Sequence, residues 1–131
     1  MGALDRVAVG ATGETIVTVA HDMTVQHFLP AMPAVYATPM MILHMEAAAV
    51  DAIAALLPEG HVSVGMAVNV RHLAATPVGR AVRVTSRVAE VDGKTVLFEV
   101  EAWDGERKIG DGIHRRGVVE VAAFEKRFGV T

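Results

Sequence analysis

At Pro58 the hydrophobic rhythm of this chain changes. From Thr38 to Leu57 the residues are rich in Leu, Met and Ala. Ile42, Met45, Ala49, Ile53 and Leu56 fall on one stripe at the 100° step of an α-helix, while His44 and Asp51 fall on the other side. Thr38 suits the N-cap, and Pro39 suits the first helical position, where no amide hydrogen is needed. Pro58 and Gly60 end the run. From His61 on, apolar residues recur at every second position, the period of a strand with one buried face. The run 61–72 places Val62, Val64, Met66, Val68, Val70 and His72 in one row. Runs 80–91 and 95–103 follow, joined at Asp92-Gly93, a hairpin dipeptide. Asp104-Gly105 marks the next reversal, and 108–121 is a last long strand whose glycines at 110, 112 and 117 suit a bulge or close backbone approach.

Upstream, the β-branched run 14–20 reads as a strand and 23–28 as a shorter one. Residues 29–39 carry three prolines and read as a loop into the helix. The tail after 121 reads as a short helical end. The order is strand, one long apolar helix, then consecutive antiparallel strands, which suits a sheet wrapped around that helix. This is the α+β hot-dog architecture. Its open sheet edge calls for cover by a second subunit, so a homodimer is expected.

The bulk numbers narrow the function. A length of 131 residues fits one domain spanning 1–131. With 52% hydrophobic and 21% charged residues the chain is globular in composition. A net charge of −3 and no basic run longer than Arg115-Arg116 argue against a nucleic-acid reader. The absence of cysteine excludes a thiol nucleophile, a disulfide framework and a thiolate metal site. No two histidines sit at helical ligand spacing, so no metal or other cofactor is expected. There is no uninterrupted apolar run of the roughly 18 residues a membrane span needs, and no signal-peptide pattern at the start. A cytoplasmic protein without membrane partners is the expectation.

One charge stands out against this background. Glu46 falls inside the apolar helix stripe. A carboxylate there must find hydrogen-bond donors or neutralise, and in a cleft it can act as nucleophile or general base. His72 continues the apolar row of the strand and projects toward the side the helix covers. Thr38 lies two helical turns before Glu46, on roughly the same side. Gly65, in mid-strand, leaves room for a bound carbonyl to approach the backbone.

The stretches "PAMPAVYATPMMILHMEAAA", "GMAVNVRHLAATPVG" and "VEAWDGERKIGDGIHRR" resemble the fluoroacetyl-CoA thioesterase-like family of hot-dog thioesterases. The likeness covers roughly residues 15 to 120, and it matches in the separations of Thr from Glu by eight residues and of Glu from His by twenty-six. The resemblance implies an acyl-CoA thioesterase in which Thr38, Glu46 and His72 form the catalytic constellation and Gly65 lies beside the thioester carbonyl. It also implies that the loop before the helix, with Leu29, Met32 and Tyr36, screens the substrate pocket. Phenylalanines serve there in the fluoroacetyl-specific member, and Tyr36 is the only aromatic residue in this chain's loop. A general short-chain acyl thioester therefore suits this chain better than a fluorinated one. A histidine also recurs in the family at the position of His114, which reads as a structural or pocket-lining residue. Arg71, Arg80 and Arg83 are candidates for CoA phosphates. Two rival readings are an acyl-CoA-binding module without turnover and an enoyl-CoA hydratase built on Asp22 and His27.

Overall fold

The computed structural model describes residues 2–130. Its elements run β1 (Thr12–Thr18), a short helix α1 (Val25–Phe28), the long helix α2 (Thr38–Ile53), β2 (His61–His72), β3 (Ala81–Asp92), β4 (Thr95–Asp104), β5 (Arg107–Glu120) and α3 (Val121–Phe128). The five strands form one sheet in the order β1-β3-β4-β5-β2, with every pairing antiparallel. Helix α2 lies across this sheet. The expected α+β architecture of a sheet around one helix is borne out.

The core is what the helix and sheet exclude from water together. Met41, Met45, Ala48, Ala49, Ala52 and Ile53 of α2 are buried against Val82, Val84 and Val88 of β3 and Val96, Phe98 and Val100 of β4. The buried stripe is thus turned slightly from the expected one: Met45, Ala49 and Ile53 are in it, while Ile42 and Leu56 are half-buried. The stretch Thr38–Leu56 has the length and mean hydropathy (1.4) of a membrane span, and 33% of it is buried inside this packing.

Close contact between α2 and the sheet depends on Gly13. A Cβ there would collide with the Ala48 carbonyl oxygen and stand 2.9 Å from the Ala52 Cα. The same carbonyl accepts a 2.7 Å hydrogen bond from Ser86 Oγ, which is buried on the neighbouring strand. Neither helix nor strand can yield without losing that bond. Gly13→Ala is expected to cost about 1–3 kcal/mol, the usual range for overpacking, read as a lower urea midpoint with unchanged slope.

Three local expectations are corrected. Residues 23–28 form no strand. Thr24 instead accepts from the His27 amide at 3.3 Å, capping α1, and its hydroxyl donates to the His21 carbonyl at 2.7 Å. The hairpin turns sit one residue later than expected, at Gly93-Lys94 and Gly105-Glu106, with each glycine at φ +60°. The long row in β2 is also broken. The β2–β5 register shifts between Gly65 and Ala67, so Gly65 pairs with Arg116 and Val68 with His114. Paired residues share a face, and His114 and Arg116 are buried on the helix side. That face is therefore lined by Ser63 and Gly65 before the bulge and by Val68, Val70 and His72 after it. Val62 and Val64 lie on the opposite face.

Candidate active site

The first turn of α2 carries Thr38 as its first helical residue, with Ala37 at the N-cap and no side-chain cap. The threonine hydroxyl is thereby free for another partner, and it lies 2.7 Å from His72 Nδ1. His72 ends β2, on the face the bulge turns toward the helix. Its other nitrogen, Nε2, is buried and makes no hydrogen bond among the described residues. Burial pushes the His72 pKa below its ordinary value, opposed by the Ala74 carbonyl, which favours the neutral ring near pH 7. Thr38 and His72 line a cavity of about 470 Å³ with Val25, Val35, Tyr36 and Ala74.

Glu46 stands elsewhere. Its Oε2 receives a 3.1 Å ion-paired hydrogen bond from Arg116 Nη1. The guanidinium is nearly buried, its side chain 6% exposed, whereas the glutamate side chain is 36% exposed. Arg116 is held on all sides. Its Nε donates to Ser63 Oγ and its Nη2 to the Ser63 carbonyl, both at 2.8 Å, and its Nη1 lies 3.0 Å from His114 Nε2. His114 Nδ1 lies 2.8 Å from the Ala67 carbonyl. A carbonyl only accepts and a guanidinium only donates, so His114 is neutral with its proton on Nδ1. Its lowered pKa agrees: burial is the largest cause, with the Arg116 charge adding to it against the Ala67 carbonyl and Glu46.

Gly65 is the open floor of this half. A Cβ there would stand 3.1 Å from Glu46 Oε2, 3.5 Å from the His114 ring and 3.6 Å from the Arg116 guanidinium. A side chain would fill the space in front of the carboxylate. Glycine leaves it clear.

The structure thus joins Thr38 to His72, and Glu46 to Arg116, His114 and Gly65. Within one protomer it does not join the two groups. Eight helical residues separate Thr38 from Glu46 by about 12 Å, and no hydrogen bond links Glu46 to Thr38 or His72 among the described residues. The Thr38 hydroxyl pairs with His72, not with Glu46 two turns along the same helix. Of the three loop residues expected to screen the pocket, Tyr36 is 1% exposed and lines the cavity, whereas Leu29 and Met32 are 54% and 46% exposed and outside its lining. Arg116 is the residue the sequence reading missed. The signal was its position two residues from His114, which puts both on one face of the strand.

The arginines considered for CoA phosphates already have carboxylates: Arg71 with Asp111 at 3.1 Å, Arg80 with Asp104 at 2.9 Å and Arg83 with Glu14 at 3.6 Å. Asp22 and His27 make no contact with each other among the described hydrogen bonds, and His27 packs its ring against His21 and Phe28. The hydratase reading has no assembled site.

Comparison with known proteins decides the family. The family described as fluoroacetyl-CoA-specific thioesterase (FlK) matches residues 19–122. This chain belongs to it. A fluoroacetyl-CoA thioesterase from Streptantibioticus cattleyicolor is 39% identical over 110 residues, 79% of each chain. The solved structure of the fluoroacetyl-CoA thioesterase FlK superposes with a TM-score of 0.88 at 36% identity, covering 95% of this chain and 97% of the other. A thioesterase superfamily member from Thermus thermophilus gives 0.89 at 32% identity, covering 95% and 93%. The protein is an acyl-CoA thioesterase of the hot-dog fold.

Proposed function

We propose that residues 1–131 form one thioesterase domain that hydrolyses short-chain acyl-CoA, with Glu46, His72 and Thr38 as its catalytic groups. The observation that carries this is the Glu46 carboxylate. It is held by a nearly buried arginine, with Oε1 unengaged among the described residues, and it faces the side-chain-free surface of Gly65. A thioester carbonyl laid on Gly65 would meet the carboxylate, or a water it activates, with the strand amide stabilising the oxyanion. Attack forms a C–O bond and breaks the C–S bond to CoA; the neutral His72 ring takes a proton from the water that is consumed and passes it to the departing thiolate. Water completes the release of free acid. Arg116 holds Glu46 in line, and Thr38 does the same for His72.

For these groups to meet, a second subunit is needed. We propose a homodimer paired along the free edge of β2, which lies at one end of the sheet order. Val62, Met66 and Val68 of that strand are 45%, 58% and 42% exposed, and Leu43 and Val50, which flank Glu46 at i−3 and i+4, are 53% and 39% exposed. Large apolar residues exposed along an open strand edge and the adjoining helix mark an interface. Antiparallel pairing about a two-fold axis sets the His72 end of one β2 against the earlier residues of the other. That places one protomer's Thr38 and His72 toward its partner's Glu46 and Gly65. A cytoplasmic setting, where CoA thioesters are made and used, fits this reading.

A short acyl group is favoured because variants of the related enzyme have been solved with fluoroacetate and CoA and with acetyl-CoA. The test is a panel of acetyl-, propionyl- and longer acyl-CoAs with free thiol followed by a thiol reagent. The chain has no cysteine, so every thiol detected is CoA. Turnover is expected to be fastest at two or three carbons and to fall with length. Binding of these ligands with no thiol release would make the protein a non-catalytic acyl-CoA module instead.

A further inference from the structure

One polar pair in the core remains unexplained by either half of the site. Tyr36 is 1% exposed, yet it carries a hydroxyl, which hydrogen-bonds His44 Nδ1. The two rings lie nearly parallel, 10° apart with centroids 5.8 Å from each other. The Tyr36 ring also meets the His72 ring edge-on, with centroids at 6.3 Å and an 82° angle. A continuous set of contacts therefore runs from His44 through Tyr36 to His72 and on to Thr38.

Packing alone does not call for this pair. Phenylalanine would fill the same core volume without a hydroxyl to desolvate, and a buried phenol needs a partner to offset that cost. A buried phenol and a half-buried imidazole are committed to one bond, a poor exchange for stability but a good one for a fixed orientation. His44 sits on α2, a 16-residue helix whose inner face is packed into the core, so it is a firm anchor. The Tyr36 backbone is fixed as well, its amide donating to the Thr76 carbonyl at 2.8 Å. With both ends held, the ring edge is a fixed wall for His72, beside that ring's contacts to Thr38 and to the Ala74 backbone.

We propose that Tyr36, locked by His44, is a positioning residue that sets the orientation of the His72 ring. Its kinetic consequences rest on the thioesterase mechanism above; its structural consequence does not. Freeing the phenol lets the wall shift, and a misplacement of about 1 Å at a reacting group costs up to about a hundredfold in rate.

The test uses Tyr36→Phe, His44→Leu, their double variant and His44→Asn, whose amide oxygen can take the place of Nδ1 as acceptor. Two quantities are read: kcat and KM with acetyl-CoA, and the His72 imidazole signals by nitrogen-15 NMR. Tyr36→Phe and His44→Leu are each expected to lower kcat about tenfold or more, with KM within about twofold. The double variant should be no worse than either single one, and His44→Asn should recover most of the loss. The His72 resonances and titration midpoint should move in the first three variants and return in His44→Asn. Unmoved His72 signals in a folded Tyr36→Phe or His44→Leu protein would overturn the proposal, as would additive effects in the double variant. If Tyr36→Phe does not fold, His44→Leu on the half-buried helix flank decides. An unaltered protein that releases no thiol from acyl-CoA would sink the thioesterase mechanism, while the NMR signals would still decide the positioning role.

Discussion

Glu46→Gln is expected to fold, to bind acyl-CoA with little change in KM, and to lose about 10²–10⁴ in kcat, the range for removing a positioned acid or base. The geometry makes this substitution an informative one. Arg116 donates to Glu46 Oε2 at 3.1 Å, and the amide oxygen of glutamine can accept the same bond. Position and volume are kept while charge and basicity go. Both routes open to the carboxylate, direct attack on the thioester and activation of water, need an ionised oxygen, so both are lost together. A secondary cost falls on stability. The nearly buried guanidinium trades a charged acceptor for a neutral one, a difference of about 1–3 kcal/mol, softened because Ser63 and His114 still engage it. Activity within tenfold of the unaltered protein, measured by thiol release on folded material, would remove Glu46 from the reaction.

Much of this fold could be read from period alone. The switch from a 3.6-residue to a 2-residue rhythm at Pro58 separates α2 from β2, whose bounds, His61–His72, agree with the alternating run. What period cannot show is a place where it slips. A single shift in the register between Gly65 and Ala67 turns His72 toward the helix together with Gly65, although the two differ by an odd number of residues. The glycine was the only local hint. Thr38 was misjudged for a related reason: threonine at a helix start usually caps it, and nothing nearby announces a histidine 34 residues later. His44 looked outward by helical phase, yet Tyr36, eight residues earlier, bends back to bond it. The Arg116–Glu46 pair spans 70 residues. The carboxylate was visible in the sequence as an anomaly, whereas its partner was hidden in a dipeptide that reads as ordinary surface charge. Local sequence gave the candidate groups. Their partners depended on strand order and register.

The second large effect is a recovery. His72→Ala and Glu46→Gln are each expected to be nearly inactive alone, and the two together are expected to regain activity when their subunits are exchanged. If each site takes His72 from one protomer and Glu46 from the other, a mixed dimer contains one site bearing both lesions and one bearing neither. Random reassortment makes about half of the dimers mixed, and each mixed dimer keeps one of two sites, so about a quarter of the original activity returns. Dimers purified as mixed by two different affinity tags should reach about half. The physical ground is the roughly 12 Å of helix between Thr38 and Glu46, with the first fastened to His72 and the second to Arg116. Neither contact can be released cheaply, because the Thr38–His72 bond closes one half and the guanidinium network fixes the other. In the proposed dimer a two-fold axis would supply what the single chain lacks, since it would reverse the order of the strand and offer the far end of one β2 to the middle of the next. A site contained in one subunit would show no recovery at any mixing ratio, because every copy would carry one lesion. Purified mixed dimers without activity, or an active species that sediments as a monomer, would therefore refute the shared site.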